Sequence, residues 1–258
     1  MWPYPRIVAH RGGGKLAPEN TLLAMQCGLQ YGFRGVEFDV MLSKDGVPVL
    51  MHDPEFGRTV AGKGNVADST AAQLLMMDAG SWFDPRFSNV KVPDYESIFR
   101  YCYQHGIWMN VEIKPVPGHE EETGHVVAQA TARMLKELQN EPQTSATLSS
   151  PVVRSPLFSS FSFTALTCAK QSAPEIARGY LLDEYECNWL SSLEKLEARA
   201  LHTNHKYLTT TWAKEIKAAG YGLFCYTVNE IERAREILSW GVDGFCTDRL
   251  DLIPPDLA

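Results

Sequence analysis

Several signals are missing from this sequence, and each absence removes a class of protein. No uninterrupted run of about 18 apolar residues occurs, the length a helix needs to cross a bilayer, so stable membrane insertion is not expected. Positive charge is not in excess: 24 Lys and Arg stand against 31 Asp and Glu, a formal net charge of -7. Nucleic-acid binders gain affinity by neutralising phosphates and releasing counterions. Nucleic acid is therefore not an expected partner, and any phosphate ligand must meet a local cluster of cations or a metal. Cys27, Cys102, Cys168, Cys187, Cys225 and Cys246 are scattered, with no pair at zinc or thioredoxin spacing. They read as thiols in a reducing compartment. Strand-like sequence begins at Ile7, which leaves no space for the charged, apolar and cleavage regions of a secretory signal, so a cytoplasmic location is expected. No internal repeat or low-complexity tract stands out.

What is present is 45% hydrophobic residues with 21% charged ones, enough for a sizeable core. A length of 258 residues suits a TIM (β/α)8 barrel of about 250 residues, and residues 1–258 are expected to form a single domain. Short apolar runs alternate with amphipathic stretches. Strands are predicted at 7–9, 35–42, 48–52, 108–114, 157–161, 178–182, 200–203, 223–227 and 244–247. Helical stripes intervene: Leu22, Met25 and Leu29 behind an N-cap candidate at Asn20, then Val127, Ala130, Met134 and Leu138, then Ile231, Ala234 and Leu238. That is one strand too many for an eight-stranded parallel barrel. Lys44-Asp45-Gly46 is a tight-turn signal, so residues 48–52 should return antiparallel and carry His52 to the barrel mouth. Residues 54–92 break the rhythm with four glycines, one short helical piece and Trp82-Phe83, and read as an insertion over the mouth. The Ser-, Thr- and Pro-rich stretch 140–150 reads as a surface linker.

Glu37 and Asp39 are one residue apart on a predicted strand, so both side chains point to the same face. Inside the apolar frame of Val36, Phe38 and Val40 they repel unless protonated, paired or bound to metal. The strand around Glu112 repeats the pattern, with Asn110, Glu112 and Lys114 on one face. If both polar faces look into one mouth, three carboxylates meet there, and an all-oxygen set favours Mg2+, Ca2+ or Mn2+. A barrel-interior ion pair with Lys114 or an arginine accounts for the same spacing. His10 and Arg11 end the first strand before Gly12-Gly13-Gly14, a loop suited to close approach of an anion, and Arg11 offers phosphate two parallel hydrogen bonds. His105, His119, His125, His202 and His205 fall in helix or loop contexts and receive no role.

Together these segments resemble the glycerophosphodiester phosphodiesterase family. The resemblance runs through Ala9-His10-Arg11-Gly12, Ala17-Pro18-Glu19-Asn20-Thr21, Val36-Glu37-Phe38-Asp39-Val40, Ser43-Lys44-Asp45-Gly46, His52-Asp53, Glu112-Ile113-Lys114, Ser159-Ser160-Phe161, Tyr226-Thr227-Val228-Asn229 and the segment Asp243 to Asp248. Ala79-Gly80-Ser81-Trp82-Phe83 is similar to the family's insertion signature. The resemblance implies one divalent metal held by Glu37, Asp39 and Glu112, with Arg11 and Lys114 on the phosphate and His10 and His52 as the acid–base pair. It also implies hydrolysis of diesters such as glycerophosphocholine or glycerophosphoethanolamine. Tyr226 stands where the family usually has Trp, and Phe161 is expected beside it on the alcohol side or in barrel-top packing. Glu19 and Asn20 are placed near the metal shell, although capping alone accounts for Asn20. The rival readings are a barrel phospholipase of the C or D type, for which Trp82-Phe83 and Trp2 are the membrane-facing candidates, and a non-catalytic binding barrel.

Overall fold

The alternation of side chains along a strand decides where everything else goes. In β2 (Gly35–Leu42) every residue is buried, because one face packs on helices and the other on the barrel interior. Val36, Phe38 and Val40 join the outer core, where full burial of each such side chain contributes about 1.5–3 kcal/mol. Glu37 and Asp39 are left pointing inward.

A computed structural model describes residues 2–140 and 155–257. Around β2 it places β1 (Ile7–Ala9), β3 (Pro48–Leu50), β4 (Trp108–Ile113), β5 (Leu157–Ser160), β6 (Ala177–Leu182), β7 (Ala200–Asn204), β8 (Gly222–Tyr226) and β9 (Gly244–Thr247). Neighbours run β1-β9-β8-β7-β6-β5-β4-β2, and β1 pairs back onto β2. Eight parallel strands thus close into a TIM barrel. The surplus strand β3 hydrogen-bonds antiparallel to β2 alone, as the turn at Asp45-Gly46 predicts. It stops at Leu50, two residues short of the expected end. The expected linker beyond Asn140 lies outside the described residues.

Helices α1 (Leu22–Gln30), α2 (Ala71–Leu74), α3 (Tyr95–Gln104), α4 (Glu120–Asn140), α5 (Phe163–Ser172), α6 (Trp189–Leu196), α7 (Thr210–Ala218) and α8 (Ile231–Ser239) follow. All but the short α2 lie between successive parallel strands or lead into the next one. Among the described residues, no helix is long and apolar enough to cross a membrane. The expected cap of α1 is wrong by one residue. Thr21, in extended conformation, accepts the Ala24 N–H, whereas Asn20 sits at φ 57 and turns its side chain to the barrel.

Residues 54–92 fold over the end of β2 and β3 on a small core of their own, in which Val60, Val66, Leu74, Ala79 and Val92 meet Met41, Val49 and Met51. The opposite end of the barrel is plugged by rings. Trp2 stacks on Phe224 with centroids 5.8 Å apart, and Tyr4 on Trp108 at 4.6 Å. Trp2 therefore faces away from the mouth and is no membrane anchor there. Its partners in the interior, Val8, Trp108, Leu157, Phe224 and Cys246, form an apolar lower layer.

The tightest helix contact is α4 on α5. A Cβ at Gly124 would lie 2.3 Å from the Ala165 carbonyl oxygen. Helix propensity alone favours Gly124→Ala by about 1 kcal/mol, but overpacking against backbone costs about 1–3 kcal/mol. Net destabilisation is expected in urea unfolding, and a stabilised variant would contradict this packing.

Candidate active site

Strand register sets the site. Asp39 of β2 lies beside Glu112 of β4, and Glu37 beside Asn110. Oxygens from Glu37, Asp39 and Glu112 all lie within 4.8 Å of one another. At that separation two like charges repel by roughly 3 kcal/mol for an effective dielectric near 20, so the cluster requires neutralisation.

The three carboxyls are neutralised unequally. Asp39 Oδ1 accepts from Lys114 Nζ at 3.1 Å, Oδ2 accepts from Asn20 Nδ2 at 2.8 Å, and Arg11 Nε stands 3.6 Å away. Burial pushes Asp39 up, but Lys114, Arg11, His52 and Asn20 together hold it below the ordinary carboxylate range. Glu37 is raised well above that range by burial and by the charges of Asp39 and Glu112. Among the described residues, Glu37 accepts the Arg11 amide at 3.1 Å, and His10 Nε2 stands 3.8 Å away. Glu112, 3.7 Å from Lys114, is pushed up to about 7 by burial and by Asp39. The ion pairs anticipated as an alternative therefore exist, yet they settle mainly on Asp39. Three carboxylates share Lys114 and Arg11, and an all-oxygen pocket with charge left over fits a hard divalent cation.

Each histidine at the mouth is held by its own carboxylate. His10 Nδ1 is 2.6 Å from Asp248 Oδ1. Asn229 grips Asp248 twice, donating from Nδ2 at 2.9 Å and accepting the Asp248 amide at 2.8 Å. Burial raises Asp248, but the hydrogen bond and charge of His10 and the Asn229 contact bring it down to about 2. The loop closes tightly here: Gly14, at φ 53, has no room for a Cβ, which would lie 2.3 Å from the Asp248 carbonyl oxygen. His52 Nδ1 is 2.7 Å from Asp53, whose other oxygen takes Arg58 Nε at 2.6 Å. Arg58 also clamps Glu19, and Glu19 takes Arg11 at 2.8 Å. An unbroken polar chain thus runs from Arg11 to His52. Burial lowers the His52 imidazolium, Lys114 and Arg11 lower it further, and Asp39 and Asp53 oppose them without prevailing.

These groups open on a cavity of about 210 Å3. Its lining includes His10, Arg11, Glu37, His52, Glu112 and Lys114, with Phe161, Leu181 and Tyr226 on the far wall. Phe161 and Tyr226 meet edge to face at 5.8 Å. The Tyr226 hydroxyl donates to the Leu182 carbonyl at 3.1 Å, so the group it adds relative to Trp is spent on backbone. A second cavity of about 250 Å3 lies at the barrel's other end, around Trp2, Arg199, Lys217 and Tyr221, far from these groups.

The model of the Glycerophosphoryl diester phosphodiesterase family matches residues 10–252. The chain belongs to this family. A glycerophosphodiester phosphodiesterase of Caldanaerobacter subterraneus subsp. tengcongensis is 31% identical over 250 residues, covering 94% of this chain and 93% of the relative. An Oleispira antarctica phosphodiesterase, solved in complex with the product sn-glycerol-3-phosphate, matches with a TM-score of 0.85 at 35% identity, covering 98% of this chain and 95% of that one. The glycerophosphodiester phosphodiesterase of Agrobacterium tumefaciens matches at 0.75 and 26% identity, covering 96% and 97%.

Within this glycerophosphoryl diester phosphodiesterase barrel, the nine residues singled out in the sequence meet at one mouth: His10, Arg11, Glu37, Asp39, His52, Glu112, Lys114, Phe161 and Tyr226. Sequence reasoning placed Glu19 and Asn20 near the carboxylates, where they hold Arg11 and Asp39, but missed the other groups that hold these residues. Asp248 follows β9, the strand beside β1; a carboxylate at the top of the closing strand was the available signal. Arg58 gave none, because its pairing crosses the irregular segment. His202 is not in a helix or loop but fully buried on β7. Asn20, beyond its mistaken cap role, makes two hydrogen bonds to Asp39, through the Asp39 amide at 3.2 Å as well as its carboxylate. Asn20→Ala leaves those buried groups unpaired and is expected to cost about 1–3 kcal/mol in denaturant unfolding; an unchanged midpoint would show that Asp39 does not need it.

Proposed function

We propose that the chain hydrolyses glycerophosphodiesters, including glycerophosphocholine and glycerophosphoethanolamine, to sn-glycerol 3-phosphate and an alcohol. One divalent cation, Mg2+, Ca2+ or Mn2+, would be held by Glu37, Asp39 and Glu112. The observation that carries this reading is a buried carboxylate trio with unbalanced negative charge, set beside two histidines that each have a carboxylate behind them.

When bound, the cation supplies positive charge against a phosphoryl oxygen. The chain's own residues do the rest. Arg11 and Lys114 face the remaining phosphoryl oxygens and oppose charge growing there in the transition state. His52, whose imidazolium is disfavoured by burial and by Lys114 and Arg11, takes the proton of the attacking oxygen as its bond to phosphorus forms. His10, fixed by Asp248, gives a proton to the departing alcohol oxygen as that bond breaks. Attack by water, and prior attack by the neighbouring glycerol hydroxyl, both use these same residues. Asp53 and Arg58 lie in the segment 54–92 or beside it, so in this reading that segment belongs to one catalytic unit with the barrel. The six free cysteines support a cytoplasmic site of action.

The decisive assay measures sn-glycerol 3-phosphate release from glycerophosphocholine, with chelator and then with each divalent ion restored. Turnover should vanish with chelator and return with at least one ion; activity indifferent to chelator would sink the metal assignment. In kcat/KM against pH, the acid limb should lie below the 6.5 of an ordinary histidine, because His52 must be neutral. Asp53→Asn removes a hydrogen bond that favours the imidazolium, so the limb should move to lower pH. A shift upward would assign that limb to another group.

A further inference from the structure

Arg58 spends every nitrogen of its guanidinium on two carboxylates, and it does not line the cavity itself. Nε donates to Asp53 Oδ2 at 2.6 Å, Nη1 to Glu19 Oε2 at 2.8 Å and Nη2 to Glu19 Oε1 at 2.7 Å. The two bonds to Glu19 form the planar fork in which guanidinium and carboxylate match best. Glu19 sits in the loop after β1 and Asp53 just beyond β3, so one side chain joins two loops of the mouth. The Arg58 side chain is 44% exposed, and ion pairs that exposed contribute little to stability. What the two carboxylates hold on their other sides is more informative: Asp53 holds His52, and Glu19 holds Arg11.

We propose that Arg58 is a positioning residue for the reaction: through Asp53 it fixes the ring of His52, and through Glu19 it fixes the guanidinium of Arg11. This rests on the hydrolytic reading above. The Asp53 arm sets a tautomer. Burial raises the Asp53 carboxyl, but the hydrogen bonds of Arg58 and His52 hold it below the ordinary carboxylate range, so it is ionised and only accepts. Its Oδ1, 2.7 Å from His52 Nδ1, therefore keeps the ring hydrogen on Nδ1. Nε2 is left with a lone pair for the cavity that His52 lines, the state a proton acceptor needs. The Glu19 arm sets a direction. With both Glu19 oxygens held by the fork, Oε1 takes Arg11 Nη1 at 2.8 Å and fixes the plane in which Arg11 meets phosphate.

Arg58 is itself anchored. The Gly57 amide donates to the Val60 carbonyl at 2.7 Å, and Val60 is buried in the small core of the segment 54–92. Trp82 covers the guanidinium, with Arg58 Cζ 5.9 Å from the ring centroid, a distance at which a cation and an aromatic face attract. The indole is fixed in turn, because Trp82 Nε1 donates to the Ala79 carbonyl at 2.9 Å. The irregular segment thus presents one rigid fork to the barrel, and the fork reaches the base and the phosphate-facing arginine together.

The test reads the His52 tautomer and turnover side by side. Nitrogen NMR of histidine-labelled protein at about pH 8, where His52 is neutral, identifies the His52 signals by their loss in His52→Gln. Wild type should carry the hydrogen on Nδ1, and Arg58→Ala should show a mixture of both tautomers. In the same variant kcat for glycerophosphocholine, with saturating divalent ion, should fall by roughly 10- to 100-fold, the scale on which small misplacements of reacting groups act. In an Asp53→Ala, Glu19→Ala background, adding Arg58→Ala should cost less than about twofold more, since both arms are already cut. A residue that only ties down the segment would lower turnover without moving the ring hydrogen. An unchanged tautomer in Arg58→Ala, a kcat within about threefold of wild type, or the full loss repeated in that background overturns the proposal. If Arg58→Ala does not fold, Arg58→Gln carries the same readouts. Wild type without turnover on glycerophosphocholine overturns the hydrolytic reading, and the tautomer then still decides whether Arg58 acts on His52.

Discussion

Repulsion among Glu37, Asp39 and Glu112 is the constraint around which the mouth of this barrel is organised. Strand alternation forces the three carboxyls inward, and register puts their oxygens within 4.8 Å of each other. Each remaining polar feature answers that field. Lys114 and Arg11 reach in from the strand ends, Asn20 leaves helix α1 to brace Asp39, and Glu19 with Arg58 balances Arg11 from outside. The protein tolerates this arrangement because the outer faces of the same strands pack in a continuous apolar layer against the helices.

Ion pairing and metal binding are often treated as competing explanations for buried acidic clusters. Here the ion pairs and the proposed metal binding divide the same three residues. Lys114, Arg11 and Asn20 stabilise the charged form of Asp39, so it is ionised without any cation. Glu37 and Glu112 are held toward their neutral forms; under the proposed metal binding they would release protons, and affinity for the cation would fall as pH drops. The site is in this sense half prepared.

Much of this was legible in the sequence because it is written at short range. Glu37 and Asp39 share a face by a spacing of two, and Asp45-Gly46 fixes the return of β3; eight strands follow from counting. The predicted stripes from Val127 to Leu138 and from Ile231 to Leu238 fall within α4 and α8, because their spacing is regular. What could not be read depends on which strands become neighbours. Asp248 meets His10 only because β9 closes on β1, and Arg58 meets Glu19 only after the segment 54–92 has folded back. His202 was assigned to a helix or loop although it falls inside the strand predicted at 200–203; which face of that strand is buried in the barrel depends on its neighbours β6 and β8. Asn20 was misread because Asn suits both a helix cap and a left-handed turn, and the sequence does not distinguish them.

The His10–Asp248 contact joins the first strand of the barrel to the last, across 238 residues of chain. During synthesis, a ribosome-bound chain missing only its final segment would already contain every carboxylate of the trio, both histidines, Arg11 and Lys114. It would still lack the strand that completes the ring and the group that aims His10. In the proposed mechanism, competence to cut a phosphodiester therefore arrives last, with closure, and a prematurely terminated chain would be left holding an unaimed imidazole in an open sheet.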